Sequence, residues 1–305
     1  MIVLNKNVLE FYRSVSVYTN YSQYKDYLSS LTDNIYELAR LINYQCIHRN
    51  ALTRSYRSGG EISKKYPWYR LRCEDDILMT APAMLAELFR LDLNGITFNR
   101  KIENKIVVTC RYISVLMAST LKAKGIPTRC RSGFCLIENR YDEPKYGDHW
   151  IIQYFDTSKN RWINVDTNRI KGNDTDNKYF DFNTDYFTYC AEAWLNVRNG
   201  KYDSDYYIHG ANETGLGMLA RSLFFDFHAL MNDEISYRFF PPFISNDSKF
   251  DRLTDVELSD LDKLAILMLE PDKNFYKLKK IFDSNKKYRV LDSPLVNDNN
   301  HLELF

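Results

Sequence analysis

At Gly125-Ile126-Pro127 the apolar spacing of this chain changes period. Ahead of it, "TCRYISVLMASTLKAK" repeats apolar residues at helical intervals; behind it, "TRCRSGFCLIE", "HWIIQYF" and "RWINVD" alternate, so a helix gives way to three strands. Glycine suits a helix C-terminus and proline cannot continue the helix, which fixes the switch in place. The polar "DTSKN" between the last two strands is of hairpin length, making them antiparallel neighbours with Asp156 opposite Arg161. The expected class is α+β, with a helix against an antiparallel sheet.

Helical patterns flank this centre. "DNIYELARLINYQCIHRN" predicts one amphipathic helix from Asp33 to about Asn50, broken by "TRSYRSGGEISKKYPWYR". A second pattern covers "DDILM" and "APAMLAELFRL", with Pro82 in a first helical turn. "AEAWLNVRNG" and "GMLARSLFFDFHALMNDE" read as helices, and "FFPPF" as a connector. "TDVELSDLDKLAILMLEP" opens on Thr254 and Glu257 at capping-box spacing and stops before Pro271. With no internal repeat or low-complexity linker, the expectation is a single domain over 1–305. It divides into an N-terminal helical part (1–100), a core (101–170), a helical C-terminal part (171–290) and a polar tail (291–305).

Charge and cysteine content narrow the partners. Lysine plus arginine (41) nearly equals aspartate plus glutamate (40), so no overall field draws the chain to nucleic acid or an anionic membrane. The start lacks a signal-peptide pattern and no run of eighteen apolar residues occurs, predicting a soluble, cytoplasmic protein. The lysine-rich "DKNFYKLKKIFDSNKKYR" has acidic residues before and within it and reads as a solvated helix. Six cysteines (46, 73, 110, 130, 135 and 190) are few for 305 residues, which argues against a disulfide framework. Cys130, Cys135 and His149 come nearest to a metal pattern, but no CxxC accompanies them and strand residues five apart face opposite sides. No metal site is expected from this spacing.

Chemistry gathers at three residues. Thr109 is a good N-cap type, which puts Cys110 in a first helical turn, where unsatisfied N–H groups and the positive dipole end favour a thiolate. Such a thiolate is a nucleophile, and the same N–H groups can stabilise an oxyanion. Cys110, Ile113, Met117 and Leu121 share one stripe, predicted to face the strands. Continuing the hairpin register places Asp166 opposite Ile151 and His149 two residues along the same face, a diagonal that long side chains bridge. The carboxylate would then orient the imidazole and stabilise its charged form. The other cysteines show no comparable helix-start and histidine pairing. Taken singly, Cys110 also reads as a small buried residue, His149 as a rim histidine and Asp166 as a turn residue. Trp150 and Trp194 read as core; Asp226, His228 and Asn232 as the outer face of an amphipathic helix; His48 as a surface histidine.

On these residues the chain resembles the transglutaminase-like superfamily, papain-related thiol enzymes with bacterial members. The resemblance is carried by "TCRYISVLMASTLKAKGIPTRCRSGF", "DHWIIQYF" and "RWINVD" in that order, over 107–168, with weaker similarity in the flanking helices. It implies Cys110 as nucleophile, His149 as general base and acid, and Asp166 as the residue orienting His149. The implied fold packs the cysteine helix across a central antiparallel sheet. The implied chemistry runs through a thioester, with water as acceptor in a peptidase or amidase and an amine in an acyl transferase; the resemblance implies no metal or organic cofactor, and no calcium. Three residues depart from the family pattern: Val108 and Thr109 stand where glycine and a polar residue are usual, and Tyr112 where aspartate is frequent in close relatives. The leading expectation is a thiol enzyme acting on an amide or ester of a peptide or protein. The alternative is a catalytically silent scaffold that binds a peptide or protein. Specificity would lie in loops such as "ENRYDEPKYGD".

Overall fold

The computed structural model describes residues 5–70, 74–137, 145–170, 178–183, 186–210 and 212–290. Cys73, most of the "ENRYDEPKYGD" loop and the tail 291–305 lie outside these residues. The N-terminal part carries helices α1 (Lys6–Arg13), α2 (Lys25–Ser30) and α3 (Ile35–Tyr44), strand β1 (Cys46–His48), helices α4 (Arg49–Ser58), α5 (Glu61–Lys65) and α6 (Ala81–Leu91), and strand β2 (Ile106–Val108). The centre is helix α7 (Cys110–Ala123) followed by strands β3 (Thr128–Ile137), β4 (Lys145–Asp156) and β5 (Arg161–Val165). Then come β6 (Phe187–Tyr189), α8 (Cys190–Arg198), β7 (Tyr207–Ile208), α9 (Leu216–Leu230), α10 (Asp247–Phe250), α11 (Asp255–Leu269) and α12 (Phe275–Ser284).

Local chemistry sets the boundaries. Gly125 adopts φ +76°, the left-handed conformation that ends α7, while the Ile126 N–H reaches back to the Leu121 carbonyl at 3.0 Å. In α6, Thr80 is the N-cap, accepting from the Ala83 N–H at 3.3 Å, and Pro82 occupies the first turn. Helix α11 starts on the expected capping box of Thr254 and Glu257. Lys287, hydrogen-bonded to that glutamate, holds its carboxyl down at about 2.

The predicted helix from Asp33 ends early. Asn34 caps α3, but Tyr44 closes it, and Cys46–His48 pair in parallel with Ile106–Val108. The segment predicted as a break carries α4 and α5. Ile47 continues the apolar spacing of a helix, yet its backbone is claimed by a strand some sixty residues away, which a local pattern does not report.

The larger sheet is curled and mostly antiparallel, in the order β5-β4-β3-β6, with short β7 added parallel to β4. The β4–β5 register runs from Ile152↔Val165 to Asp156↔Arg161, as the hairpin pattern predicts. Gly133 on β3 lies opposite Tyr189 on β6, where a side chain's first carbon would sit 2.3 Å from the Thr188 carbonyl oxygen. The fold is therefore mixed α/β, with four short strands the sequence pattern does not signal: β1, β2, β6 and β7.

The chain forms two compact units. The first comprises Met1–Val8, Cys130–Trp150 and Asn183–Phe305; the second comprises Leu9–Arg129 and Ile151–Phe182. In the first, α8 packs against α9 and α11, and Trp194, fully buried, donates its indole N–H to Asp262 at 2.8 Å. Trp150 is buried against Phe225 and Tyr237. In the second, α7 packs against α2, α3 and α6. All 14 residues of α7 are buried, so the single apolar stripe predicted for it is replaced by a helix covered on every face. Among the described residues, no helix is long and apolar enough to cross a membrane.

Candidate functional site

Cys110 is the first residue of α7, two positions after β2 ends. Its N-cap, Thr109, is extended, with φ −92° and ψ 175°, and its carbonyl accepts the N–H groups of Tyr112 at 3.1 Å and Ile113 at 3.3 Å. The Thr109 hydroxyl does not cap the helix as its residue type suggests. Instead it donates to Asp75 Oδ2 at 3.2 Å, and the Thr109 N–H donates to Asp75 Oδ1 at 3.1 Å. Cys110 is 4% exposed. One turn on, along the same face, Ser114 is buried with no hydrogen-bond partner for its hydroxyl among the described residues. The buried Arg111 guanidinium lies 4.9 Å from the Tyr18 ring and 4.6 Å from the Tyr112 ring, and it donates to the Met79 carbonyl at 3.4 Å.

The parallel pairing gives a place to His48, read from the sequence as a surface histidine. His48 registers with Val108, so the starts of α4 and α7 lie at the same end of the β1–β2 pair. His48 caps α4, its Nδ1 accepting the Asn50 N–H at 3.2 Å, which leaves the ring proton on Nε2 in the neutral tautomer.

Asp166 directly follows β5 and is fully buried. One further step of the register places it across from Ile151. Its N–H donates to the Tyr179 carbonyl at 2.9 Å, and its Oδ1 accepts the Arg169 N–H at 3.2 Å, so it also organises the turn after β5. The same hairpin face carries a polar chain: Arg129 Nε donates to Gln153 Oε1 at 2.8 Å, and Gln153 Nε2 to Asn164 Oδ1 at 2.8 Å.

His149 lies in β4 and is 4% exposed. Its neighbour Asp148 accepts the Gly210 N–H at 2.9 Å, with His209 Nδ1 3.7 Å from its other oxygen. Cys110 and Asp166 thus belong to the second unit, and His149 to the part of β4 in the first.

Several expectations change. Asp226, His228 and Asn232 are not an outer face; all three are buried. Asp226 accepts Arg131 Nε and Nη2, each at 2.8 Å, together with the Ser132 N–H at 2.9 Å. His228 places Nδ1 2.8 Å from Asp233 Oδ2 and Nε2 2.8 Å from the Tyr288 carbonyl. Trp150 and Trp194 are core, as read. A second cysteine, Cys190, also opens a helix, α8. Burial, followed by the charge of Asp226, pushes its thiol well up, and its Sγ donates to Ser132 Oγ at 3.6 Å. Burial likewise pushes the Cys46 thiol up to about 12. A helix start alone therefore does not activate a cysteine: at Cys190 burial is the largest influence and raises the thiol.

Cys46, Cys110, Cys130, Cys135 and Cys190 are all buried and form no disulfide among the described residues. Those residues also hold no group of three or more His, Cys, Asp or Glu placed to bind a metal ion. No family model, curated protein or solved structure matches the chain.

Proposed function

We propose that this chain is a transglutaminase-like thiol enzyme that cleaves or transfers an acyl group at an amide or ester bond of a peptide or protein. Cys110 supplies the thiolate, His149 acts as general base and then acid, and Asp166 orients His149. The acyl group passes to Cys110 as a thioester, and water or an amine releases it. The observation that carries this reading is a pair of positions: Cys110 as the first residue of α7, where first-turn N–H groups favour an anion, together with the buried Asp166 directly after β5. The chain order of cysteine helix, histidine strand and aspartate strand supports it, with Asp166 at the end of the β4–β5 hairpin.

The second reading, a silent scaffold that binds a peptide or protein, is favoured by the burial of Cys110 and by Val108, Thr109 and Tyr112 around it. Limiting iodoacetamide followed by mass-spectrometric mapping separates the two. The enzyme reading expects Cys110 to label first, His149→Ala to slow it by about tenfold or more, and Asp166→Asn to slow it less. Labelling of Cys110 no faster than that of Cys190, with no effect of the His149 change, would leave the scaffold.

A further inference from the structure

The strand leading into Cys110 is held by an acidic pair. While β2 pairs with β1, Val107 gives both its backbone groups to Glu74: its carbonyl accepts the Glu74 N–H at 2.9 Å, and its N–H donates to Glu74 Oε2 at 2.8 Å. Arg70 fixes that carboxylate through Nε at 3.0 Å and Nη2 at 2.8 Å. Two residues along the same edge, Asp75 takes both donors of Thr109, at 3.1 and 3.2 Å. The acidic pair thus acts as a short strap along 107–109, and the next residue is the thiol.

The engagement of Thr109 explains why its hydroxyl does not cap α7. A cap needs the hydroxyl oxygen to accept a first-turn N–H, and here the side chain is instead turned to Asp75, where its proton meets a carboxylate, a stronger acceptor than a neutral oxygen. With the N-cap tied at two points, the backbone direction in which Cys110 leaves the strand is fixed from outside the helix. We infer that Asp75 is a positioning residue: it acts through Thr109 to set the start of the cysteine helix and hence the placement of the Cys110 sulfur. The inference rests on Cys110 being the nucleophile.

The test compares Asp75→Ala with Asp75→Asn in the full chain. Both variants lose the charge, but the asparagine amide can accept from the Thr109 N–H and donate to its hydroxyl, so their difference isolates the two hydrogen bonds. The readouts are the iodoacetamide rate at Cys110 and amide hydrogen exchange at Tyr112 and Ile113, whose N–H groups bond the Thr109 carbonyl. The alanine variant is expected to slow labelling and speed exchange by about tenfold each, the scale of a lost charge-assisted bond, and asparagine to restore both to within about threefold. Thr109→Val, which removes only the hydroxyl bond, gives an intermediate effect and serves if the alanine variant fails to fold. Wild-type behaviour of the alanine variant in both readouts, or an asparagine variant no better than alanine, overturns the inference. If wild-type Cys110 itself labels no faster than Cys190, the enzyme reading fails; exchange at Tyr112 and Ile113 then still decides the strap, since unchanged exchange in the alanine variant rejects it and acceleration rescued by asparagine upholds it.

Discussion

Arg131 on β3 and Asp226 on α9 meet in a two-point ion pair at 2.8 Å on each side, with side chains 3% and 0% exposed. The carboxylate also accepts the Ser132 N–H, and Tyr189 lies 4.1 Å from the guanidinium carbon, so the pair is satisfied in a dry setting. Removing one partner leaves a buried charge without its counterpart, which costs about 3–5 kcal/mol. Asp226→Ala should therefore lower the urea midpoint sharply, while the double change Arg131→Met with Asp226→Leu recovers much of the loss. A single variant within about 0.5 kcal/mol of wild type would contradict this account.

High pH should loosen the fold. Burial raises the Cys46 thiol from 9.0 to about 12 and the Tyr154, Tyr207 and Tyr288 hydroxyls from 10.0 to about 12. The unfolded chain releases these protons first, so their contribution is complete below about pH 9 and is lost as pH climbs toward 12. Urea midpoints should fall steadily through that window, and Tyr154→Phe should flatten the slope by removing one of the groups. A midpoint constant from pH 9 to 11 would show that these groups titrate alike in both states.

Gly133 is a close-approach position. A methyl group there would meet the Thr188 carbonyl at 2.3 Å and the Phe187 ring at 2.6 Å, and neither atom is the end of a flexible chain. Gly133→Ala is expected to push β6 away from β3 at a cost of about 1–3 kcal/mol, seen as a lower melting temperature and faster amide exchange at Phe187–Tyr189. Unchanged exchange in that strand would mean that the pairing tolerates the methyl group.

The parts of the fold legible in the sequence are those set by local chemistry. Asp156 and Arg161 frame a short polar loop, Thr254 and Glu257 satisfy each other at a helix start, and Gly125 stops a helix. What stayed hidden depends on distant partners. Ile47 fits a helix until Val107 pairs with it, and Asp226 looks like a solvent-facing residue of its helix until Arg131 arrives from β3. The position of Cys110 at a helix start was readable because a threonine precedes it and an apolar helix follows. The hold of Asp75 on Thr109 was not, since nothing in a run of acidic residues says which backbone it will grip. Nor was the helix-start position of Cys190, whose thiol is raised chiefly by burial.

The interleaving of the two units has a consequence for biosynthesis. Leu9–Arg129 and Ile151–Phe182 have all been translated when residue 182 leaves the ribosome, so the second unit can close on the nascent chain. The first cannot, because its helices α8, α9 and α11 all follow residue 183. Until then Phe134 and Trp150, whose packing partners Tyr207 and Phe225 are still unmade, stay uncovered on an emerging polypeptide. Slowing translation beyond residue 182 should therefore lengthen the time that Phe134 and Trp150 spend uncovered.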